Sequence, residues 1–92
     1  MNNDVSIVIN EADNVATALC HLKVGQDISV KVGNKVIFLT LKENINVYHK
    51  FSLYDILKDE KIYKYAQVIG ESECNIDSGR HVHVHNMRSL RG

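Results

Sequence analysis

Short runs of alternating apolar and polar residues, each ended by turn-forming residues, constrain the fold of this chain more than any other feature. The clearest runs, residues 28–32 and 35–41, flank Gly33-Asn34 and predict a β-hairpin. Three further segments predict strands: 5–9, 61–65 and 68–70. Because the sequence contains no proline, glycine and asparagine must supply the turns. Strands separated by turns about every 8–12 residues are typical of a compact, mostly β domain.

Two segments interrupt this pattern and predict short helices. Four apolar residues of segment 14–22 follow helical spacing on one face: Val15, Ala18, Leu19 and Leu22. Asp13 is placed to cap the first turn of that helix, and Gly25 is a plausible stop signal. Residues 52–57 predict one more helical turn. The expected architecture is therefore mostly β with one or two short helices.

Length, charge and cysteine content narrow the kinds of partner. No internal repeat or linker is apparent, so residues 1–92 are predicted to form one small domain with little room for a deep cavity. Equal numbers of basic and acidic residues, 11 each, argue against nucleic acid and anionic membranes as partners.

Cys20 and Cys74 lack metal-ribbon spacing, so buried free thiols are expected. The start of the chain does not resemble a signal peptide, and we expect a soluble, cytoplasmic protein.

The segment His81-Val82-His83-Val84-His85 is the most informative local feature. On a strand the three histidines share one face and the two valines the other, with neighbouring histidines about 6.6 Å apart at the backbone. Two imidazoles can then lean together to bind one metal ion, and imidazole suits iron or zinc. The alternative is a solvated or interface strand face with the valines in the core. By itself the pattern favours that alternative, because no acidic or cysteine ligand lies nearby.

His49 and Lys50 are the second candidate pair. Adjacent imidazole and ammonium groups can supply a general acid/base and an anchor for a carboxylate. An exposed loop often carries such a pair by chance, so composition alone favours a structural role. His21 lies near the end of the predicted helix, where its charged form would complement the helix dipole, and we expect a structural role for it.

Four segments carry a further pattern in a fixed order. They are D-N-V-A-T-A-L at 13–19, H-K-F-S-L-Y-D-I at 49–56, I-Y-K-Y-A-Q-V-I-G at 62–70 and I-D-S-G-R-H-V-H-V-H-N at 76–86. Together they resemble the SAF-domain part of the altronate/galactarate dehydratase family over almost the whole chain, and the last motif is quite specific. Tyr48 and Ala66 depart from the pattern, since the family commonly has glycine at both positions.

The resemblance implies a β-clip (SAF-like) fold and a place in sugar-acid metabolism. Members of the family remove water from acids such as altronate or galactarate with a divalent metal, typically iron or manganese. Related two-subunit enzymes split sulfite from sulfolactate. Because the chain ends at Gly92, soon after the histidines, the resemblance implies a small hydro-lyase subunit that is inactive alone and completes the active site of a separate large subunit.

Residue roles follow from the same resemblance. His49, Lys50 and His83 are the candidate catalytic residues, with His49 as acid/base and Lys50 as partner of a substrate carboxylate. His83 and His85 are the candidate metal contacts, while the large subunit holds the metal for the most part. Two alternatives remain: the small subunit of a sulfolactate sulfo-lyase, or a non-catalytic carbohydrate-binding or assembly module. An unpaired strand edge also makes a homodimer of the isolated chain plausible.

Overall fold

The structure, a computed structural model, describes residues 5–89, and every regular element in that range is a strand. The strands are β1 (Ser6–Ile7), β2 (Val15–Ala18), β3 (Asp27–Val32), β4 (Lys35–Thr40), β5 (Lys50–Ser52), β6 (Lys61–Lys64), β7 (Gln67–Ser72), β8 (His81–Val82) and β9 (Met87–Ser89). They form antiparallel sheets in the orders β1-β2-β5-β8, β3-β4 and β6-β7-β9. The prediction of a mostly β domain is confirmed. Within 5–89 no helix is long and apolar enough to span a membrane.

The hairpin predicted around Gly33-Asn34 is confirmed as β3–β4. Its burial follows the alternation in the sequence: Ile28, Val30 and Val32 are buried, and the residues between them are exposed. The register runs without a shift over both strands. A strand that is buried on one face shows clear period-two alternation, which is why the sequence predicts this element well.

The predicted helix over residues 14–22 is wrong, because its first half forms strand β2. Val15 packs in one hydrophobic cluster, whereas Ala16 and Ala18 pack in another. The strand is therefore buried on both faces and lacks the polar alternation of a half-exposed strand. A continuous run of small and apolar residues satisfies helical spacing by chance, which explains the error.

Asp13, predicted to cap that helix, holds a β-turn instead. Its side chain is buried, and its carboxylate oxygens accept the backbone N–H groups of Tyr65 at 3.0 Å and Ala66 at 2.8 Å. These two residues connect β6 to β7 and have φ angles of 56° and 61°. Two-residue hairpin turns with positive φ at both positions favour glycine, asparagine and aspartate. The carboxylate thus stabilises a turn whose own residues disfavour it.

Two smaller predictions also need correction. No helical turn covers residues 52–57, since Ser52 ends β5 and Ile56 forms an isolated β-bridge with Ile76. Cys20 and Cys74 are free, as predicted, but both are exposed rather than buried.

One seven-residue motif occurs four times between residues 22 and 82, although no repeat is apparent in the sequence. It begins and ends with a buried apolar residue and covers residues 22–28, 45–51, 56–62 and 76–82. Its second to fifth residues form a β-turn closed by a backbone hydrogen bond of 3.0 or 3.1 Å. We call these turns 1 to 4, at residues 23–26, 46–49, 57–60 and 77–80. The third residue of each turn has positive φ, as a type II turn requires: Gly25, Tyr48, Asp59 and Gly79.

The motifs are joined in pairs. Leu22 and Ile45 exchange two backbone hydrogen bonds of 2.9 Å, and Ile56 and Ile76 exchange two of 2.8 and 2.7 Å. A hairpin separates the two motifs of each pair: β3–β4 in the first and β6–β7 in the second. The chain therefore contains an N-terminal half, residues 22–51, and a C-terminal half, residues 56–82, with the same plan.

The two halves meet where β5 pairs with β8. Lys50 and His81 are both sixth residues of their motifs, and Phe51 and Val82 are both seventh. The register pairs Lys50 with Val82 and Phe51 with His81, which is the pairing that an approximate twofold axis produces. Candidate functional residues of the sequence thus lie next to this axis.

Two hydrophobic cores follow the same division. The first core consists of Ala16, Ala18, Leu22, Ile28, Val30, Val32, Leu41, Ile45, Phe51 and Leu53. The second core consists of Val15, Ile56, Ile62, Ile76 and Val82. Since Val82 and Phe51 belong to different cores but lie on paired strands, β5–β8 is the link between the two.

Candidate functional site

Four imidazole rings come together where β5 meets β8. The ring centroid of His81 lies 5.1 Å from that of His49, 5.4 Å from that of His83 and 5.3 Å from that of His85. His49 and His83 are 5.7 Å apart. We call these four residues the histidine cluster. The pairing of the two halves builds it, because His49 ends turn 2, immediately before β5, and His81 begins β8.

A hydrogen bond joins two members of the cluster. His49 Nδ1 and His81 Nε2 are 3.0 Å apart, so one ring donates and the other accepts. At least one of the two imidazoles is therefore neutral in this arrangement. Burial lowers the pKa of His81 below its usual value, and repulsion from the other three histidines lowers it further. Both effects favour the neutral form of the His81 ring.

The histidine segment is a short strand followed by a turn, not the predicted strand over 81–85. β8 ends at Val82, and the His83 carbonyl accepts the backbone N–H groups of Asn86 and Met87 at 3.0 and 2.9 Å. The buried Asn86 side chain fixes this turn by accepting the His83 N–H and donating to the His81 carbonyl. Val84 is consequently 74% exposed instead of filling the core, which corrects the sequence prediction.

An open pocket of about 190 Å³ lies beside the cluster. It is lined by Tyr48, His49, Lys50, His81 and His83, which we call the histidine pocket. Ligand pockets that enclose a small molecule are usually larger, roughly 300–1,000 Å³. A cavity of about 390 Å³ along the hairpin β3–β4 is larger, but no histidine or lysine lines it. The histidine pocket has the reactive groups, and a second surface is needed to enclose a substrate there.

One ammonium group, that of Lys50, lines the pocket and has no acidic partner among the described residues. Burial lowers the pKa of the Lys50 ammonium, and the nearby Lys64 ammonium lowers it further. Within residues 5–89 neither lysine forms an ion pair, whereas Lys61, Arg80 and Arg88 do. A concave site with uncompensated positive charge attracts anions. The arrangement fits a carboxylate ligand.

Residues 5–89 do not form a complete metal site by themselves. Imidazole nitrogens suit iron or zinc, but no group of three or more His, Cys, Asp or Glu side chains in the described part of the chain is arranged to hold an ion. Nitrogens of His49 and His81 are also used in their mutual hydrogen bond. A metal at His83 and His85 would need further ligands from outside the described residues.

Tyr48 has an unusual backbone conformation at the edge of the pocket. It is the third residue of turn 2, with φ of 69°, and its side chain is 74% exposed. Its N–H donates to the Ala18 carbonyl at 2.7 Å, which holds the turn against β2. A bulky residue with positive φ costs about 1–3 kcal/mol unless other contacts offset it. Tyr48 and Ala66, the two departures from the glycine pattern, both lie at positive φ.

The structure brings together three of the four predicted site residues in one pocket: His49, Lys50 and His83. His85 stacks against His81 but does not line the pocket. Sequence reasoning left out His81 and Tyr48. The alternation of the histidine segment could have identified His81, and the replacement of a common glycine could have identified Tyr48.

His21 has a structural role, as predicted, but no helix is involved. Its Nδ1 accepts the Val47 N–H of turn 2 at 3.4 Å. Asn44, Asp55 and Asn75 stand at the same place before their motifs, and each accepts one N–H of the paired turn at 2.9 Å. This side-chain cap is thus a fixed part of the repeated motif.

Comparison with known proteins identifies the family. The profile of the altronate/galactarate dehydratase SAF domain matches residues 4–90. The chain is 41% identical over 83 residues to altronate dehydratase of Escherichia coli and 31% identical over 83 residues to that of Bacillus subtilis, with 90% of this chain and 16% of each relative covered. It is 29% identical over 91 residues to (2R)-sulfolactate sulfo-lyase subunit alpha of Chromohalobacter salexigens, with 95% of this chain and 97% of that subunit covered. The chain therefore belongs to the altronate/galactarate dehydratase SAF-domain family, as its motifs predict.

Proposed function

We propose that this chain is the small subunit of a metal-dependent hydro-lyase that removes water from a sugar acid such as altronate or galactarate. In this proposal it is inactive alone and completes the active site of a separate large subunit. The observation that carries the proposal is the histidine pocket, which combines an imidazole pair with a half-buried lysine.

Dehydration of a hydroxy acid requires three contributions. A base takes the proton next to the carboxylate, positive charge stabilises the enediolate that forms, and an acid protonates the departing hydroxyl. His49 is the proposed acid/base, since its Nδ1 is held by His81 and its other nitrogen remains for the substrate. Lys50 is the proposed partner of the carboxylate. His83, exposed on the other side of the pocket, is the third proposed catalytic group.

The proposed metal is iron or manganese, held mainly by the large subunit, with His83 and His85 as the contacts of this chain. When bound, such an ion supplies charge stabilisation for the enediolate. The turn at residues 83–86 presents both imidazoles to solvent, so a partner surface can reach them.

Exposed apolar and aromatic groups around the pocket support a partner surface. Tyr48, which lines the pocket, and Val84, which lies between His83 and His85 in the sequence, are each 74% exposed. Aromatic residues are enriched at protein interfaces, and an open pocket gains a dry interior when a second surface covers it. The altronate dehydratases that match this chain are several times longer than the matched segment, which is consistent with a large partner.

A second candidate is the small subunit of a sulfolactate sulfo-lyase. It is favoured by the match to a sulfo-lyase alpha subunit, which extends over nearly the whole of both chains. The same pocket groups would serve, because loss of sulfite also begins with removal of a proton next to a carboxylate. The two candidate reactions differ in the leaving group, which is water or sulfite, and not in the base.

Capture of the partner followed by an activity screen tests the proposal. The chain, tagged at its N-terminus, is purified anaerobically from an extract of its source, and the large polypeptide recovered with it is identified. The pair is then assayed with altronate, galactarate and sulfolactate in the presence of iron or manganese. Turnover of a sugar acid supports the first candidate, and turnover of sulfolactate alone supports the second. A chain that recovers no partner contradicts both and indicates a binding or assembly module.

Substitution of His83 tests the residue assignment in the active pair. His83→Ala should abolish turnover and leave the thermal unfolding of the isolated chain unchanged, because the side chain is exposed. Full activity in this variant would show that His83 is not a catalytic residue.

A further inference from the structure

We propose that Tyr48 is a specificity-determining residue of the histidine pocket, whose phenol hydroxyl contacts a hydroxyl group of a polyhydroxylated carboxylate substrate. The inference rests on the proposed lyase function and adds to it a residue that selects among acids.

The backbone of Tyr48 is the first argument. Four equivalent turns place a residue at positive φ, and two of them use glycine, Gly25 and Gly79. Asp59 occupies the third, and aspartate is one of the residues that tolerate this conformation best. Tyr48 is the bulky exception among these four turns. Its side chain is largely exposed, so packing within the described residues does little to offset the strain. Strained conformations of this kind concentrate at functional sites.

The position of Tyr48 is the second argument. Tyr48 lines the same pocket as His49, Lys50, His81 and His83. Three hydrogen bonds hold the turn that carries it: the Tyr48 N–H donates to the Ala18 carbonyl, the His49 N–H donates to the Asn46 carbonyl at 3.0 Å, and the N–H of the second turn residue donates to His21. A phenol on a rigid turn at a pocket wall is well placed to position a ligand.

The chemistry of the pocket is the third argument. The other lining groups are imidazoles and an ammonium, which suit the carboxylate and the proton transfers. A sugar acid also presents neutral hydroxyl groups, and a neutral phenol can donate to one and accept from it. A site built to hydrogen-bond a hydroxyl rejects analogues that lack it far more strongly than an apolar site can. A contact with a partner subunit would need exposed apolar surface and would not depend on the phenol hydroxyl.

The test uses the assembled enzyme and three variants of this chain. Tyr48→Phe removes only the hydroxyl, and Tyr48→Gly removes the side chain and the strain. Asp59→Gly is the matched control, since it relaxes the same position of turn 3 outside the pocket. The measurements are kcat and KM for the sugar acid and for an analogue lacking one hydroxyl, the melting temperature of the chain, and the affinity between the subunits.

Tyr48→Phe should reduce the kcat/KM preference for the hydroxylated acid by roughly tenfold or more, the worth of one hydrogen bond to a substrate hydroxyl. Tyr48→Gly should show the same loss and a melting temperature raised by a few degrees, roughly 4–8 °C for a domain of this size. Asp59→Gly should raise the melting temperature less and leave kcat and KM for both substrates unchanged.

Unchanged discrimination in both Tyr48 variants of an active pair would overturn the inference and leave the proposed function intact. Weaker subunit association with wild-type kinetics at saturating partner would also overturn it, since Tyr48 would then be an interface residue. An inactive wild-type pair would overturn the proposed function itself, and the inference with it.

Discussion

The N-terminal and C-terminal halves share one backbone plan, and their four turns differ in the use of the last turn residue. In turns 1 and 3 this residue bonds back to its own turn. Gln26 accepts the Lys23 N–H at 3.1 Å, and Glu60 accepts the Leu57 N–H at 2.6 Å. These side chains stabilise the turn that carries them and contribute nothing to the histidine pocket.

In turns 2 and 4 the same position faces the junction of the halves. His49 bonds across it to His81. Arg80 lies 3.9 Å from Asp77 of its own turn and also 3.9 Å from Glu43, whose carboxylate accepts the His81 N–H at 3.2 Å. The fold thus supplies four similar turns, and the position of a turn relative to β5–β8 decides whether its last residue bonds only within its own turn or also reaches across the junction.

The largest expected effect comes from substituting the last residue of turn 2 and comparing it with a substitution at the same position of turn 1. His49→Gln in turn 2 should reduce kcat of the assembled enzyme by about 10²- to 10⁴-fold, the usual contribution of a general acid/base. Gln26→Ala at the same position of turn 1 should leave kcat unchanged and lower the free energy of unfolding by about 1 kcal/mol, because one backbone N–H loses its partner. Steady-state kinetics and denaturant unfolding of both variants separate the roles. Similar losses of activity in the two variants would abolish the distinction between the turns.

The two cores allow a second comparison of the halves. Phe51 in the first core and Ile62 in the second are both seventh residues of the motif and fully buried. Phe51→Ala should cost about 3–5 kcal/mol and Ile62→Ala about 2–5 kcal/mol, through lost burial and the cavity that remains. Urea unfolding followed by circular dichroism should show one transition in both variants, since paired strands link the cores. A separate early transition in Ile62→Ala would mean that the C-terminal half unfolds independently.

The sequence predicts strands that are buried on one face only, and it fails for a strand that is buried on both faces. Strand β3 alternates because one face is exposed, so its pattern is readable. Strand β2 lies between both cores, and its uninterrupted small and apolar residues imitate a helix. The fourfold motif escapes detection because its copies share two buried positions, a capping side chain and one backbone angle, and none of these fixes a residue type.

The site is predicted in part for a similar reason. His49, Lys50 and His83 follow from the motif resemblance, and the structure places all three in one pocket, whereas their catalytic roles stay a prediction. The end of β8 depends on the side chain of Asn86, which bonds to residues three and five positions earlier. Period-two alternation contains no information about such a bond. The metal contacts of His83 and His85 stay a prediction.

A smaller effect is expected in the two hairpin turns. The β3–β4 turn uses Gly33, which accepts a φ of 60° without strain, whereas the β6–β7 turn holds Tyr65 and Ala66 with the Asp13 carboxylate. Asp13→Ala should lower the free energy of unfolding by about 1–3 kcal/mol. Ala66→Gly should raise it by up to about 1 kcal/mol, since glycine adopts positive φ freely. Thermal unfolding of the double variant checks the link. If Ala66→Gly does not reduce the loss caused by Asp13→Ala, the carboxylate has no role in holding the strained turn.

The smallest effect concerns Lys50, which should lower the stability of the folded chain and strengthen the binding of an acid substrate. Because burial and Lys64 lower its pKa in the folded chain, the unfolded chain binds more protons between the folded and unfolded pKa values. The stability of the wild type should therefore rise as pH increases through that interval. Lys50→Met should be the more stable variant at pH 7, should lose this alkaline rise, and should bind the acid substrate more weakly. Lys64→Met, which removes only the second cause, should retain most of the rise. If the free energy of unfolding changes with pH in the same way in the wild type and in Lys50→Met, the charged form of Lys50 is not destabilised by its position. The pocket would then gain nothing from pairing this ammonium with a carboxylate.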